Sequence, residues 1–247
     1  MTAPSKSSGR MMNTELIEIA GLSVELVRKP IKNLHIGVYP PAGRVRVAAP
    51  PAISEDAIRV AVLTRLGWIR KKQREFEGQA RQAQRLYVSG ETHFVFGKPL
   101  RLLVQTNSKN HCVIQSDAAD RLTMRVPEGS TTDQKARWMS EWYRGQLRER
   151  AASRILKWSE RLEVSVPKWG IRLMKTKWGS CNPDRGIVWL NLDLAKKPLA
   201  ALDYVILHEV AHFVSPRHDE VFLSVLDRYM PTWRQIRTDL NALPLSA

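Results

Sequence analysis

The sequence contains little cysteine and no long apolar segment. Only Cys112 and Cys181 occur among its 247 residues, and their separation matches no metal-binding cysteine pattern. No run of 18 apolar residues is present, so we expect no membrane-spanning helix. Residues 1–13 are mostly polar and lack the apolar core of a secretory signal, which predicts a disordered leader. These absences favour a reducing, cytoplasmic location.

The sequence also lacks a glycine-rich phosphate loop and a carboxylate cluster suited to Mg²⁺. Acidic residues are scarce before Pro198, where the sequence has 18 Asp or Glu and 35 Lys or Arg. From Pro198 onward it has six Asp or Glu and four Arg. The net charge of +15 therefore belongs to the N-terminal four fifths of the chain. Such a field favours polyanionic partners such as nucleic acid or nucleotides, although a solvated basic surface explains it equally well.

One motif near the C-terminus carries most of the chemical information. It consists of His208-Glu209-Val210-Ala211-His212, followed five residues later by His218. Pro198 and Pro216 bracket an apolar-periodic segment, so the motif is predicted to lie on a helix. Histidines four apart share one helix face, and the intervening glutamate can act on a water bound to the same ion. This spacing is typical of zincin metalloenzymes; the alternative is two unrelated histidines on an ordinary helix.

The pattern of short strands and long helices predicts an α+β fold. A β-rich N-terminal region with long basic helices should span residues 14–165, and a zincin-like region with a mixed sheet and the motif helix should span 166–247. The two regions could also form one continuous domain. Within the first, we predict an antiparallel meander over 14–50, a basic helix over 54–84, strands over 86–126 and a helix over 133–162.

Residues 166–240 resemble the YgjP-like (WLM-related) zinc metallopeptidases. The resemblance rests on Trp178-Gly179-Ser180-Cys181, on Leu190-Asn191 with Leu194, and on the block from Asp203 to His212. It continues through His218, Phe222, Pro231 and Trp233. Two positions depart from the family pattern. His218 lies between Arg217 and Asp219 rather than between Asn and Ser, and Leu223 replaces a frequent Trp.

The resemblance implies hydrolysis assisted by Zn²⁺. The metal would be held by His208, His212 and His218, with Glu209 as general base towards the bound water. Transition-state donors are expected among Tyr229, Arg217 and the backbone at Gly179 and Ser180. Asp219 or Asp203 would orient a ligand histidine, and Tyr204, one turn before His208, would line the site or pack beneath it.

The resemblance makes a peptide or protein the expected substrate, and three other functions remain open. The strand over residues 186–192 could pair with an extended peptide if it lies at a sheet edge, or it could be internal. A nucleoside triphosphate pyrophosphatase would use the same metal site and the basic region. A nucleic-acid-recruited protease and a binding module with structural zinc complete the alternatives, although Glu209 argues against the last.

Overall fold

The computed structural model describes residues 14–39, 43–77, 85–106, 109–116 and 120–243. The predicted leader, residues 1–13, and residues 78–84 of the predicted basic helix lie outside the described residues. The chain divides into two compact units, which meet in the sequence between residues 81 and 82 and are called here the first and second units.

The first unit combines a four-stranded mixed sheet with two helices. Its elements are β1 Thr14–Ile19, β2 Leu22–Arg28, β3 His35–Tyr39, β4 Arg44–Ala49, α1 Glu55–Thr64 and α2 Leu66–Glu77. The strand order is β1-β2-β4-β3, and β2 pairs with β4 in parallel. The predicted antiparallel meander is therefore wrong for this central pair. Alternating apolar residues predict that a strand has one buried face, but they do not specify its neighbours.

The predicted basic helix is broken into two. Ser54 caps α1, with its hydroxyl accepting a hydrogen bond from the Ala57 amide, and α1 ends at Thr64, with Arg65 as its C-cap. Ile58, Val62 and Ile69 are fully buried and join the apolar side chains of the sheet in one core. The opposite face of α2 presents Arg70, Lys71 and Arg74 to solvent.

The second unit begins with a sheet of the same topology as the first. Its strands are β5 Thr92–Val95, β6 Lys98–Gln105, β7 Cys112–Ser116 and β8 Arg121–Arg125, in the order β5-β6-β8-β7 with β6 and β8 parallel. The helix α3 Thr132–Arg161 follows, and Thr131 and Gln134 form a capping box at its start. Trp138 and Trp158 of α3 are buried, where their rings contribute large apolar areas to the core.

The rest of the second unit carries the motif. It contains β9 Lys168–Arg172, β10 Gly179–Asn182, β11 Ile187–Asn191, α4 Leu199–Ala211, α5 Glu220–Tyr229 and α6 Trp233–Ala242. β11 lies between β10 and β9, so the strand proposed for a peptide-binding edge is internal and β10 occupies the edge. The predicted boundary at residue 165 falls inside this unit, because α3 packs against α4 and shares its apolar core.

The overall architecture is α+β, with six helices and three mixed sheets among the described residues. None of the described helices combines the length and the apolarity that crossing a membrane requires.

Candidate metal centre

Three imidazoles converge at the C-terminal end of α4. The ligand-capable atoms of His208, His212 and His218 all lie within 4.8 Å of one another. The Nε2 atoms of His208 and His218 are 3.1 Å apart. Tetrahedral zinc with Zn–N bonds of about 2.0–2.1 Å holds its nitrogens about 3.3 Å apart, so the observed spacing fits a shared ion. Neutral imidazole nitrogens are the donors that such an ion prefers.

The chain between α4 and α5 brings His218 back to the helix. α4 ends at Ala211, one turn earlier than predicted, and His212 is its C-terminal cap. The Ser215 hydroxyl donates to the Asp219 carboxylate, whose two oxygens lie 2.9 Å away. Asp219 also accepts from the Phe222 amide and caps α5. These bonds fix the turn that carries His218.

The ring of His212 is held by the same turn. Its Nδ1 lies 3.3 Å from the carbonyl oxygen of Ser215, which suits a ring N–H donating to that carbonyl. This arrangement directs Nε2 towards the other two histidines and selects one tautomer. The partner that orients His212 is therefore a backbone carbonyl, and Asp219 contributes indirectly by holding the turn.

Glu209 lies in a confined position beside the histidines. Its side chain is buried, with 6% of the residue exposed. Burial raises the pKa of Glu209 to about 8, and the positive charge of Lys177 opposes that rise. A β-carbon placed on Gly179 would be 2.5 Å from Oε1 of Glu209, so only glycine allows the carboxylate to approach β10 this closely.

β10 presents backbone groups beside this carboxylate. The Asn191 amide donates to the Trp178 carbonyl across the β10–β11 pair, and Gly179 is opposite Leu190. Because hydrogen-bonded and non-hydrogen-bonded pairs alternate, the N–H and C=O groups of Gly179 and Cys181 point away from β11, towards the open edge. Of the two predicted backbone donors, Gly179 faces this edge, whereas Ser180 faces β11.

The loop before β10 is fixed by a buried amide. Asn191 is fully buried, and its Nδ2 donates to the carbonyls of Met174 and Lys177 at 2.8 and 2.7 Å. Its Oδ1 accepts from the amides of Met174 and Asp193 at 3.3 and 3.2 Å. All the side chain's hydrogen-bonding groups thus serve to hold the loop that leads into the site.

Two of the predicted accessory residues, Tyr229 and Asp203, are held by partners on α3, and a third, Arg217, lies outside the cavity lining. The Tyr229 hydroxyl donates to the Arg161 carbonyl, and its ring packs edge-on against Trp158 of α3. The Arg154 guanidinium lies 3.2 Å from the Asp203 carboxylate, which ties α4 to α3. Arg217 is exposed and does not line the cavity described below.

Tyr204 lines the cavity described below and packs against His208. Its ring is 5% exposed, lies edge-on to His208 with centroids 5.8 Å apart, and stacks on Trp233 at 6.3 Å. Burial raises the pKa of its hydroxyl above the usual value. Tyr204 therefore lines the cavity and also packs between the rings of His208 and Trp233.

The histidines and Glu209 open into a cavity of about 580 Å³. Sequence reasoning missed several residues that line it, among them Thr176, Lys177, Leu226, Arg237 and Asn241. Arg237 comes from α6, one turn after Trp233. The four-residue spacing of Trp233 and Arg237 was the available signal, because it places both residues on one face of a helix. The sequence does not show that this face approaches the histidines, which depends on the packing of α6 on α4.

The fold and the site define a protein of the metallopeptidase class. An α+β unit presents an HExxH helix, a third histidine on the following turn and a buried glutamate at one cavity. The family described as "YgjP-like, metallopeptidase domain" matches residues 33–243, and the chain belongs to this family.

Other comparisons add little to this assignment. The structure of the metallopeptidase zymogen abylysin from Pyrococcus abyssi is similar to 36% of this chain and 90% of its own. That similarity has 17% sequence identity and a TM-score of 0.35. No curated protein matches the sequence significantly.

Proposed function

We propose that this protein is a zinc-dependent peptidase that uses Glu209 as its general base. The observation that carries the proposal is the convergence of three imidazoles within 4.8 Å beside a buried carboxylate. Three protein ligands leave a fourth position for water, as catalytic zinc sites require, whereas structural sites fill it with another ligand.

The chain's own groups account for the remaining chemistry. His208, His212 and His218 would hold the zinc, which when bound acidifies water and polarises a carbonyl. Glu209 takes the proton of the attacking water and delivers it to the leaving nitrogen. The Gly179 N–H points to the open edge of β10 beside Glu209, where it can donate to a substrate carbonyl or to the developing oxyanion.

The open edge of β10 supports a peptide as the substrate. Gly179 and Cys181 offer a pair of outward-facing N–H and C=O groups along the cavity wall. An extended peptide can add to such an edge as a further strand, which aligns its backbone without reading its sequence. From the sequence, β11 was considered for this role on the condition that it lay at an edge; β11 is internal, and β10 is an edge strand of the same sheet.

The test compares wild type with Glu209→Gln after zinc loading, using a peptide library and metal analysis. Loss of the general base should lower kcat by about 10²- to 10⁴-fold with zinc content retained. Glu220→Gln, at an exposed position of α5 outside the cavity, is the matched control. Unchanged cleavage by Glu209→Gln, or no peptide cleaved by the zinc-loaded wild type, would refute the proposal.

The same variants test the nucleotide alternative. Wild type and Glu209→Gln are incubated with a panel of nucleoside triphosphates and scored for pyrophosphate release. Glu209-dependent release without any peptide cleavage would reassign the site to phosphoanhydride hydrolysis. The cytoplasmic location also stays a prediction, and cell fractionation with an antibody to the protein tests it.

A second proposal concerns recruitment to a polyanion through α2. Arg70, Lys71 and Arg74 share its solvent face, and Trp68 on the flank is 44% exposed. Phosphate-binding surfaces combine basic side chains with aromatic rings in this way.

Salt-dependent elution from immobilised DNA tests this recruitment. The triple Gln variant at positions 70, 71 and 74 should elute at lower salt. The slope of log binding constant against log salt concentration should be smaller in magnitude by about 3. Gln substitutions at Arg148, Lys175 and Arg185, exposed residues of the second unit, provide the charge-matched control. Equal elution of the two triple variants would contradict a specific role for α2.

A further inference from the structure

The charges that line the cavity are unevenly balanced. Apart from the three histidines, the charged lining residues are Lys177, Arg237 and Glu209. Glu209 is the proposed base and is the only acidic residue among them. Two cations therefore face the space in which the substrate must lie, and a bound divalent metal would add to this positive field.

Lys177 extends from a rigid stretch of backbone. Asn191 holds the Lys177 carbonyl at 2.7 Å, and the next residue, Trp178, has the Lys197 ammonium 5.3 Å from its ring centroid. The Lys177 side chain is exposed, and its charge is close enough to lower the pKa of Glu209 against the effect of burial. The fold thus fixes the backbone from which the Lys177 side chain extends along the cavity.

Arg237 approaches the histidines from α6. Trp233, four residues earlier on α6, stacks on Tyr204 and donates its indole N–H to Asp227 at 2.8 Å. These contacts anchor α6, and Arg237 acts electrostatically on both His208 and Tyr204. Within the described part of the chain, neither Lys177 nor Arg237 has a carboxylate within 4.0 Å, the distance limit for an ion pair.

We propose that Lys177 and Arg237 form an anion subsite that recognises a carboxylate of the peptide substrate. This inference rests on the proposed peptidase function and deepens it, because it names acidic peptides as the preferred substrate class. The carboxylate could be an Asp or Glu side chain or a free C-terminus.

Kinetic comparison of matched peptides tests the subsite and separates the two carboxylate sources. One series replaces each Glu near the cleavage point by Gln, and a second replaces the C-terminal acid by the amide. Wild-type kcat/KM should be about 10- to 100-fold higher for the preferred acidic peptide than for its neutral analogue, as for other charge-assisted contacts. This ratio should fall towards one in Lys177→Gln and Arg237→Gln.

The control variants are Lys175→Gln and Arg185→Gln, which remove exposed cations that do not line the cavity. Both should keep the wild-type preference. Equal cleavage of acidic and neutral peptides by the wild type would overturn the proposal, as would an unchanged ratio in both Lys177→Gln and Arg237→Gln.

A binding measurement keeps this inference distinct from the proposed function. Fluorescence anisotropy of labelled acidic and neutral peptides is measured with the zinc-loaded protein, so that binding is scored even if nothing is cleaved. A preference for the acidic peptide that is lost in Arg237→Gln supports the subsite. Displacement by a nucleoside triphosphate at concentrations far below those of any carboxylate peptide would overturn it in favour of phosphate recognition.

Discussion

At the scale of single residues, Gly179 is the position where the lack of a side chain matters most for the site. Its φ angle is not in the left-handed region, so alanine fits the backbone, but the added β-carbon would meet Oε1 of Glu209 at 2.5 Å. We expect Gly179→Ala to displace the carboxylate and lower kcat by about 10-fold or more, with folding and zinc content kept. Steady-state kinetics with metal analysis measures this.

Gly145→Ala on α3 is the control, because a β-carbon there meets no atom within 4 Å. It should leave kcat unchanged and raise helix stability by up to about 1 kcal/mol. Wild-type kcat in Gly179→Ala would show that Glu209 does not need its observed position.

His93 provides a second test at this scale. It is 3% exposed, and burial lowers its pKa, assisted by the charges of Arg85 and Lys196 and opposed by Glu91. A histidine that the fold keeps neutral takes up its proton at a higher pH in the unfolded chain than in the folded protein. The free energy of unfolding should therefore fall as the pH drops below about 6.5, the pKa of an unperturbed histidine.

Urea unfolding of the metal-free protein between pH 5 and pH 7.5 measures this dependence. His93→Gln should show a flatter dependence than wild type, whatever its absolute stability. An equally steep dependence in both would assign the acid sensitivity to other groups. The matched control variant is His35→Gln, which replaces an exposed histidine of β3.

At the scale of elements, the loop before β10 depends on one amide. Asn191→Leu keeps the side-chain size but removes every hydrogen bond that Asn191 makes to Met174, Lys177 and Asp193. Unsatisfied buried polar groups cost about 1–3 kcal/mol each, so we expect destabilisation of about 3 kcal/mol or more and reduced activity. As a control, Gln235→Ala at an exposed position of α6 should change the unfolding free energy by less than about 0.5 kcal/mol. A destabilisation that small in Asn191→Leu would show that the loop is held by other contacts.

The elements also show what periodicity can and cannot predict. It correctly predicted most strands, the start of the basic helix and the motif helix, because each depends on residues close in sequence. It gave the wrong pairing for β2 and left open whether β11 was an edge or an internal strand, because strand partners depend on contacts between distant segments. The convergence of His218 was predictable from the motif, whereas Lys177 and Arg237 reach the cavity only through the packing of β10 and α6 on α4.

At the scale of the whole molecule, metal binding and folding should be coupled in one unit. All three histidines belong to residues 82–246, and His218 reaches the others only when α4, the turn and α5 are folded together. Zinc at 100 times its Kd would add about 2.7 kcal/mol to the stability of a folded state that alone binds it. For a unit of this size, that corresponds to a rise in Tm of about 5–10 °C.

Differential scanning calorimetry with zinc and with chelator measures this coupling on the full chain. His218→Ala removes one ligand and should lose most of the zinc-induced rise, whereas His35→Ala in the first unit should retain it, because its side chain is exposed on another sheet. The chelated wild type and chelated His218→Ala should unfold at nearly the same temperature. An equal zinc-induced rise in wild type and His218→Ala would mean that His218 contributes nothing to the bound ion. The metal would then be held by at most two histidines of α4, and the open catalytic position would have to be assigned anew.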